Sequence, residues 1–234
     1  MVLTPLASFT ISVISWIEVI FVSKIWPIDF LGGAVLFYFF LVVETLVLLR
    51  IFRSFIQIKE GVYTYRKHPW ICWLWNVHSF LCFTHLFFPY YAGLIPPPLK
   101  KFFYRMLGAK MGAGIISIGG RISDPYLVSV EESAMIGDDV LIIPHGFCVI
   151  GGEDVLVLGK VEVKKGAVIG ARTVLMPGVT IGEKAMVNAM SLVPMNTKIP
   201  AGEIWGGVPA QKIRSAESSC AAPLEPLAVG GKRS

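Results

Sequence analysis

Residues 157–199 read VLGKVEVKKGAVIGARTVLMPGVTIGEKAMVNAMSLVPMNTKI, and every sixth position of that stretch is aliphatic: Val157, Val163, Ile169, Leu175, Ile181, Val187, Val193 and Ile199. Two places before each of the last seven stand Val161, Ala167, Thr173, Val179, Ala185, Ser191 and Thr197, all small or β-branched. A chain that turns every six residues around a thin core needs one aliphatic and one small inward side chain per hexad. Turns between such short strands want Gly or Pro-Gly, and Gly166, Gly170, Gly178 and Gly182 supply them. An amphipathic α-helix would keep spacings of three and four, which this stretch does not. The spacing therefore predicts an all-β domain, a parallel β-helix of hexapeptide repeats.

Upstream the period continues through Val130, Ile136, Ile142 and Cys148, with Val128, Ala134, Val140 and Gly146 at the minus-two places. The nine-residue step from Cys148 to Val157 breaks it. Three surplus residues near Gly151 and Gly152 predict a small loop leaving the coil. The repeat domain is placed at 116–214, its final hexads ending near Trp205.

Ile169-Gly170-Ala171, Met176-Pro177-Gly178-Val179-Thr180-Ile181-Gly182 and the closing run from Ile199 through Trp205-Gly206-Gly207-Val208-Pro209-Ala210 resemble the hexapeptide-repeat acyltransferases. The N-terminal part, with Ile122-Ser123-Asp124-Pro125-Tyr126-Leu127-Val128, also resembles the membrane-attached β-helix domains of poly-lysine-synthase-like proteins. The resemblance implies a left-handed coil, against the usual right-handed crossover preference. It also implies acetyl-CoA or another acyl-CoA as co-substrate, and a homotrimer with sites between subunits. Backbone groups at Ala171 and Ala189 would hold the pantetheine arm. Lys198, Lys212 and Arg214 in the closing segment would meet the phosphates of the donor. A carrier-protein thioester presents the same arm.

Transfer of an acyl group from a thioester to an alcohol or amine needs a base to take the acceptor's proton, and histidine as a residue type titrates near neutrality, at about 6.5. His145 is the one histidine of the repeat region, placed just before the register breaks, and is the catalytic candidate. A carboxylate would fix its other ring nitrogen. Asp138, Asp139, Glu153 and Asp154 are near in sequence, and the sequence does not choose among them. A turn histidine between Pro144 and Gly146 is the plainer reading. A zinc carbonic anhydrase on the same coil needs three histidines, so no metal is expected.

The first half has a different composition. Hydrophobic residues make up 54% of the 234 and charged residues 16%, a membrane-protein balance. Val2–Val22 and Phe30–Leu49 are each about as long and apolar as a bilayer span requires. Their acids, Glu18 and Glu44, lie near the ends, and the sequence reading is that they snorkel to the interface. Over residues 50–110 nine basic residues face one acid, Glu60, which by the positive-inside rule puts the flanking loops in the cytoplasm. Residues 70–95, with Trp70, Trp73 and Trp75 crowding one end, then form an interfacial or re-entrant segment. His78 and His85, seven apart, share one helix face and are read as interfacial packing. The apolar residues among the basic ones argue against nucleic acid. The four cysteines show no metal or disulfide spacing. Residues 215–234 read as a disordered tail.

Together these features predict a membrane region over 1–110, with two transmembrane helices in the inner or cytoplasmic membrane, and a cytoplasmic acyltransferase domain. It would act on a hydroxyl or amine of a membrane-associated acceptor. A non-enzymatic β-helix scaffold at the membrane is the alternative.

Overall fold

The structure is a computed structural model and describes residues 3–55, 58–86, 97–115 and 117–215. The tail beyond residue 215, with Cys220, and the end of the 70–95 segment lie outside these residues.

The apolar N-terminal stretches form α1 (Leu3–Ile25) and α2 (Phe30–Phe55). Asp29 caps the second, its Oδ1 accepting the backbone N–H of Gly32 at 2.7 Å. Both contain windows long and apolar enough to cross a membrane, Ser8–Ile25 and Phe30–Arg53. Trp16 stacks on Phe37 at 4.8 Å. The Ser15 hydroxyl donates to Glu44 Oε2 at 2.7 Å across the helix pair. Glu44 thus turns toward the partner helix instead of snorkelling, because a hydroxyl there satisfies its carboxylate. Glu18 Oε2 is buried as well.

α3 (Pro69–Leu81) opens with Pro69 in the first turn, where a missing N–H costs nothing, and runs into a π-helical turn, Cys82–Leu86. It is tied to the α1–α2 pair through His85. One ring nitrogen lies 2.7 Å from Ser8 Oγ and the other 2.8 Å from Thr45 Oγ1, while Tyr38 OH donates to the His85 carbonyl at 2.7 Å. A further amphipathic helix, α4 (Pro97–Met106), which the sequence reading treats only as a basic cluster, leads into the β region.

The β region is a coil of three parallel sheets, each receiving one short strand per turn. The first sheet holds Lys110–Met111, Val128–Val130, Val161–Val163, Thr180–Ile181 and Lys198–Ile199. The second holds Ser117–Ile118, Met135–Ile136, Val168–Ile169, Met186–Val187 and Glu203–Gly206. The third holds Arg121–Ile122, Leu141–Ile142, Val174–Leu175 and Leu192–Val193. Val163 pairs with Ile181 and Ile181 with Ile199, so a turn takes 18 residues, three hexads. The inward positions are buried: Ile169, Leu175, Ile181, Val187 and Val193 with Ala167, Thr173, Val179 and Ala185. Glycine is required where turns approach closely; a Cβ on Gly170 would strike the backbone N of Ala189. The coil begins at Lys110, ahead of the expected residue 116, and its last parallel strand contains Trp205, after which Gln211–Ser215 folds back antiparallel.

The predicted interruption is real but larger than a three-residue loop. His145–Ile150 and Glu153–Leu158 form an antiparallel hairpin turned by Gly151 and Gly152, both at positive φ, and Gly61–Thr64 adds a third strand to it. Val130 to Val163 therefore spans 33 residues instead of 18. Cys148 and Val157 belong to this hairpin and not to the coil core, a correction to the hexad assignment. The error has a physical origin: strand side chains alternate with period two, and six is a multiple of two, so an extended hairpin preserves the six-residue spacing.

Leu175 is completely buried and its strand is paired on both sides. Leu175→Ala should destabilise the fold by about 2 to 5 kcal/mol, measured as a lowered urea midpoint of the detergent-solubilised protein. A shift of the size of a surface substitution would contradict the assignment of Leu175 to the core.

Candidate active site

The site is built at one corner of the coil, where the third sheet passes to the first. Ile122 and Ile142 pair in successive turns, so residues two or three positions beyond each meet at that corner. In the lower turn the corner is Asp124 followed by the 3-10 turn Pro125–Leu127. In the next it is Pro144 and His145, from which the hairpin departs. Asp124 and His145 are thereby brought together across 21 positions of sequence. His145 Nδ1 lies 2.5 Å from Asp124 Oδ2.

Asp124 has no exposed surface, whereas the His145 side chain retains 23%. A buried carboxylate needs its remaining lone pairs satisfied. The helical region does this: Trp75 Nε1–H donates to Asp124 Oδ1 at 3.1 Å, and Ser79 Oγ lies 3.5 Å from the same oxygen. Trp75 also meets the His145 ring edge-on at 4.9 Å and Phe147 at 5.4 Å, fixing the imidazole plane. The orienting acid is thus none of Asp138, Asp139, Glu153 or Asp154. Asp138 and Asp139 line a separate depression with Lys100, Glu153 is 3.9 Å from Arg66, and Asp154 lies on the far strand of the hairpin. The acid lies one turn away in space, and the Ser123-Asp124-Pro125-Tyr126 segment, quoted only for its resemblance, contained it.

Behind Asp124, His78 is buried against Tyr126, ring to ring at 4.9 Å, and Arg53 lies over the same tyrosine ring. Burial pushes the His78 pKa down to about 4, with Asp124 opposing the shift and Arg53 reinforcing it. His78 is therefore neutral at physiological pH and packed away from solvent, whereas the His145 ring is partly exposed. In front of His145 lies a recess of about 410 Å³, lined by Trp75, Asn76, Ser79, Phe80, Phe83, Arg121, Ser123 and His145. Five of these eight residues come from α3 and its π-helical extension, a contribution the sequence reading does not foresee.

The positions assigned to the donor lie elsewhere on the coil. Ala171 and Ala189 stack at the corner between the second and third sheets, with Met190 N–H donating to the Ala171 carbonyl at 2.9 Å. Lys198, Lys212 and Arg214 are exposed in the last turn and the closing strand. Lys212 is 2.5 Å from Glu203 Oε1. Within one chain, then, Ala171 and Ala189 occupy a different edge of the coil from His145. Among the described residues no cluster of three or more His, Cys, Asp or Glu could hold a metal ion.

A buried carboxylate thus holds one ring nitrogen of a partly exposed histidine at a corner of a hexad coil. No family model matches the chain. It is 31% identical over 132 residues to delta-poly-L-ornithine synthetase of Acinetobacter baumannii (strain AB307-0294), covering 55% of this chain and 9% of that protein. It is 38% identical over 99 residues to gamma carbonic anhydrase 2, mitochondrial, of Arabidopsis thaliana, covering 42% and 35% respectively. It is 31% identical over 119 residues to the putative acetyltransferase YvoF of Bacillus subtilis (strain 168), covering 51% of this chain and 66% of that protein. The chain thus spans between 9% and 66% of the length of these relatives. Over its repeat region the chain is similar to hexapeptide-repeat acyltransferases.

Proposed function

We propose that the protein moves an acyl group, most simply acetyl, from a coenzyme A thioester to a hydroxyl or amine of a membrane-associated acceptor. The observation that carries this reading is the Asp124–His145 contact at the mouth of a recess. With Nδ1–H donating to Asp124, the Nε2 lone pair is free to take the acceptor's proton. The acceptor oxygen or nitrogen attacks the thioester carbonyl, the C–S bond breaks, and the thiolate recovers the proton from the imidazolium. The γ-carbonic anhydrase reading requires three histidine ligands, and the coil supplies one.

The family likeness supports a left-handed coil, with the donor lying along the edge that carries Ala171 and Ala189 and its phosphates near Lys198, Lys212 and Arg214. Because that edge is separate from the His145 corner, a neighbouring chain would bring donor and base together, which is the argument for a homotrimer. Purified full-length protein in lipid nanodiscs should release coenzyme A from acetyl-CoA when a cell extract supplies acceptor. The absence of release with every extract would favour the scaffold reading.

α1 and α2 are proposed to span the inner or cytoplasmic membrane with the coil in the cytoplasm, where acyl-CoA is made. Cys148 lies on the hairpin outside the coil core and is not fully buried, which makes it a topology reporter. In a Cys220→Ser background, a membrane-impermeant thiol reagent should modify Cys148 only after permeabilisation. Labelling in intact cells would place the coil outside and remove cytosolic acyl-CoA as donor.

A further inference from the structure

The recess in front of His145 has two chemically distinct ends. At the coil it is polar, with Ser123, Arg121, Ser79 and the His145 ring. At the helical end it is aromatic, with Phe80 and Phe83, three apart on one helix face and 37% and 64% exposed. Exposed aromatic pairs beside a reactive group are costly unless something apolar covers them. A free sugar or amino acid gains little from such a surface, whereas a hydrocarbon chain does.

The location of the aromatic end is also informative. Phe83 belongs to the π-helical turn, two residues from His85, which is bonded to Ser8 in the first turns of α1 and to Thr45 in the second half of α2. Those two positions share one half of the helix pair, the half that leads to Arg50 and Arg53. Basic residues there mark the cytoplasmic leaflet under the proposed topology. The recess therefore runs from the base on the coil to an element anchored in the half of the helix pair that leads to these basic residues.

We infer that the acceptor is a membrane amphiphile, a molecule with a hydroxyl or amine on its headgroup and a hydrocarbon chain that lies along Trp75, Phe80 and Phe83 while the nucleophile reaches His145 Nε2. The inference rests on the acyl-transfer reading. The new bond is an ester or amide to the headgroup, the bond broken is the thioester C–S bond, and the acceptor's proton leaves with coenzyme A as its thiol.

The test uses full-length protein in nanodiscs, radiolabelled acetyl-CoA, and two acceptor sources from the producing cells, the total lipid extract and the aqueous extract. Label should appear in the organic-soluble product. Phe83→Ser and Phe80→Ser should each raise the apparent KM for lipid extract about tenfold, with the donor KM unchanged, and Phe83→Leu should restore most of it. Two Ser variants and a Leu rescue separate loss of the apolar wall from misfolding. Label confined to a water-soluble product overturns the inference while leaving acyl transfer intact, as does lipid labelling that neither Ser variant alters. Label in neither product overturns the inference together with the reading on which it rests.

Discussion

His145→Ala should lower kcat by about a hundredfold to ten-thousandfold, the usual contribution of a positioned general base. The imidazole projects from a corner of the coil and keeps part of its surface in solvent, so its removal leaves the stacked aliphatic core intact. The donor KM should be little changed, because Ala171 and Ala189 belong to a different edge of the coil, and the loss should fall on kcat. Asp124 would lose its partner and remain a buried carboxylate, with Trp75 still donating to it; a modest loss of stability should follow. Raising the pH should partly rescue the variant by ionising more of the acceptor. Full activity in His145→Ala with a verified acceptor would make His145 a turn residue and leave the dyad without a role.

Asp124→Asn should cost about as much, on the order of a hundredfold to ten-thousandfold in kcat, although the two side chains are nearly isosteric. The carboxylate accepts from both Trp75 Nε1 and His145 Nδ1. An amide can accept from the tryptophan through its oxygen, but then presents an N–H to the histidine. That favours the tautomer with Nδ1 as acceptor and the proton on Nε2, which cannot take a proton from the acceptor. The double variant with His145→Ala should be no slower than His145→Ala alone, because the acid acts through the base. Additive losses would mean that Asp124 contributes to the reaction by some other route. Wild-type activity in Asp124→Asn, measured in the same thiol-release assay, would show that His145 needs no orientation.

The coil was legible because its core repeats one demand every six residues, and Ile169, Leu175, Ile181, Val187 and Val193 answer it without exception. His145 was legible because proton transfer near neutrality restricts the residue types that can serve, and the repeat offers one histidine. Its partner was not. Proximity in sequence pointed to Asp138, Asp139, Glu153 and Asp154, but a coil places its neighbours one turn away, and the hairpin and the 3-10 turn shift the register at the corner that matters. The Ile122–Ile142 pairing indicates Asp124, but it spans 20 residues where the regular turn takes 18, so the six-residue period does not give it. Trp75 was beyond reach for another reason. An aromatic cluster beside two apolar helices reads as an interfacial belt, and only tertiary packing shows that its third tryptophan turns inward to the carboxylate. Glu44 repeats the lesson: hydropathy assigned it to the interface, and Ser15 on the partner helix gave it a hydrogen bond in the packed pair.

The account turns on whether the Asp124–His145 corner catalyses acyl transfer, and the most direct measurement is a mass balance of labelled acetyl groups. Wild-type protein, His145→Ala and Asp124→Asn, each full-length and in vesicles, would be given acetyl-CoA labelled in the acetyl group together with membranes from the producing cells. The account predicts that the wild type moves label onto a molecule other than water, with coenzyme A released in equal amount, and that both variants fall at least about a hundredfold behind. Label recovered only as free acetate, or transferred equally by all three proteins, would contradict it.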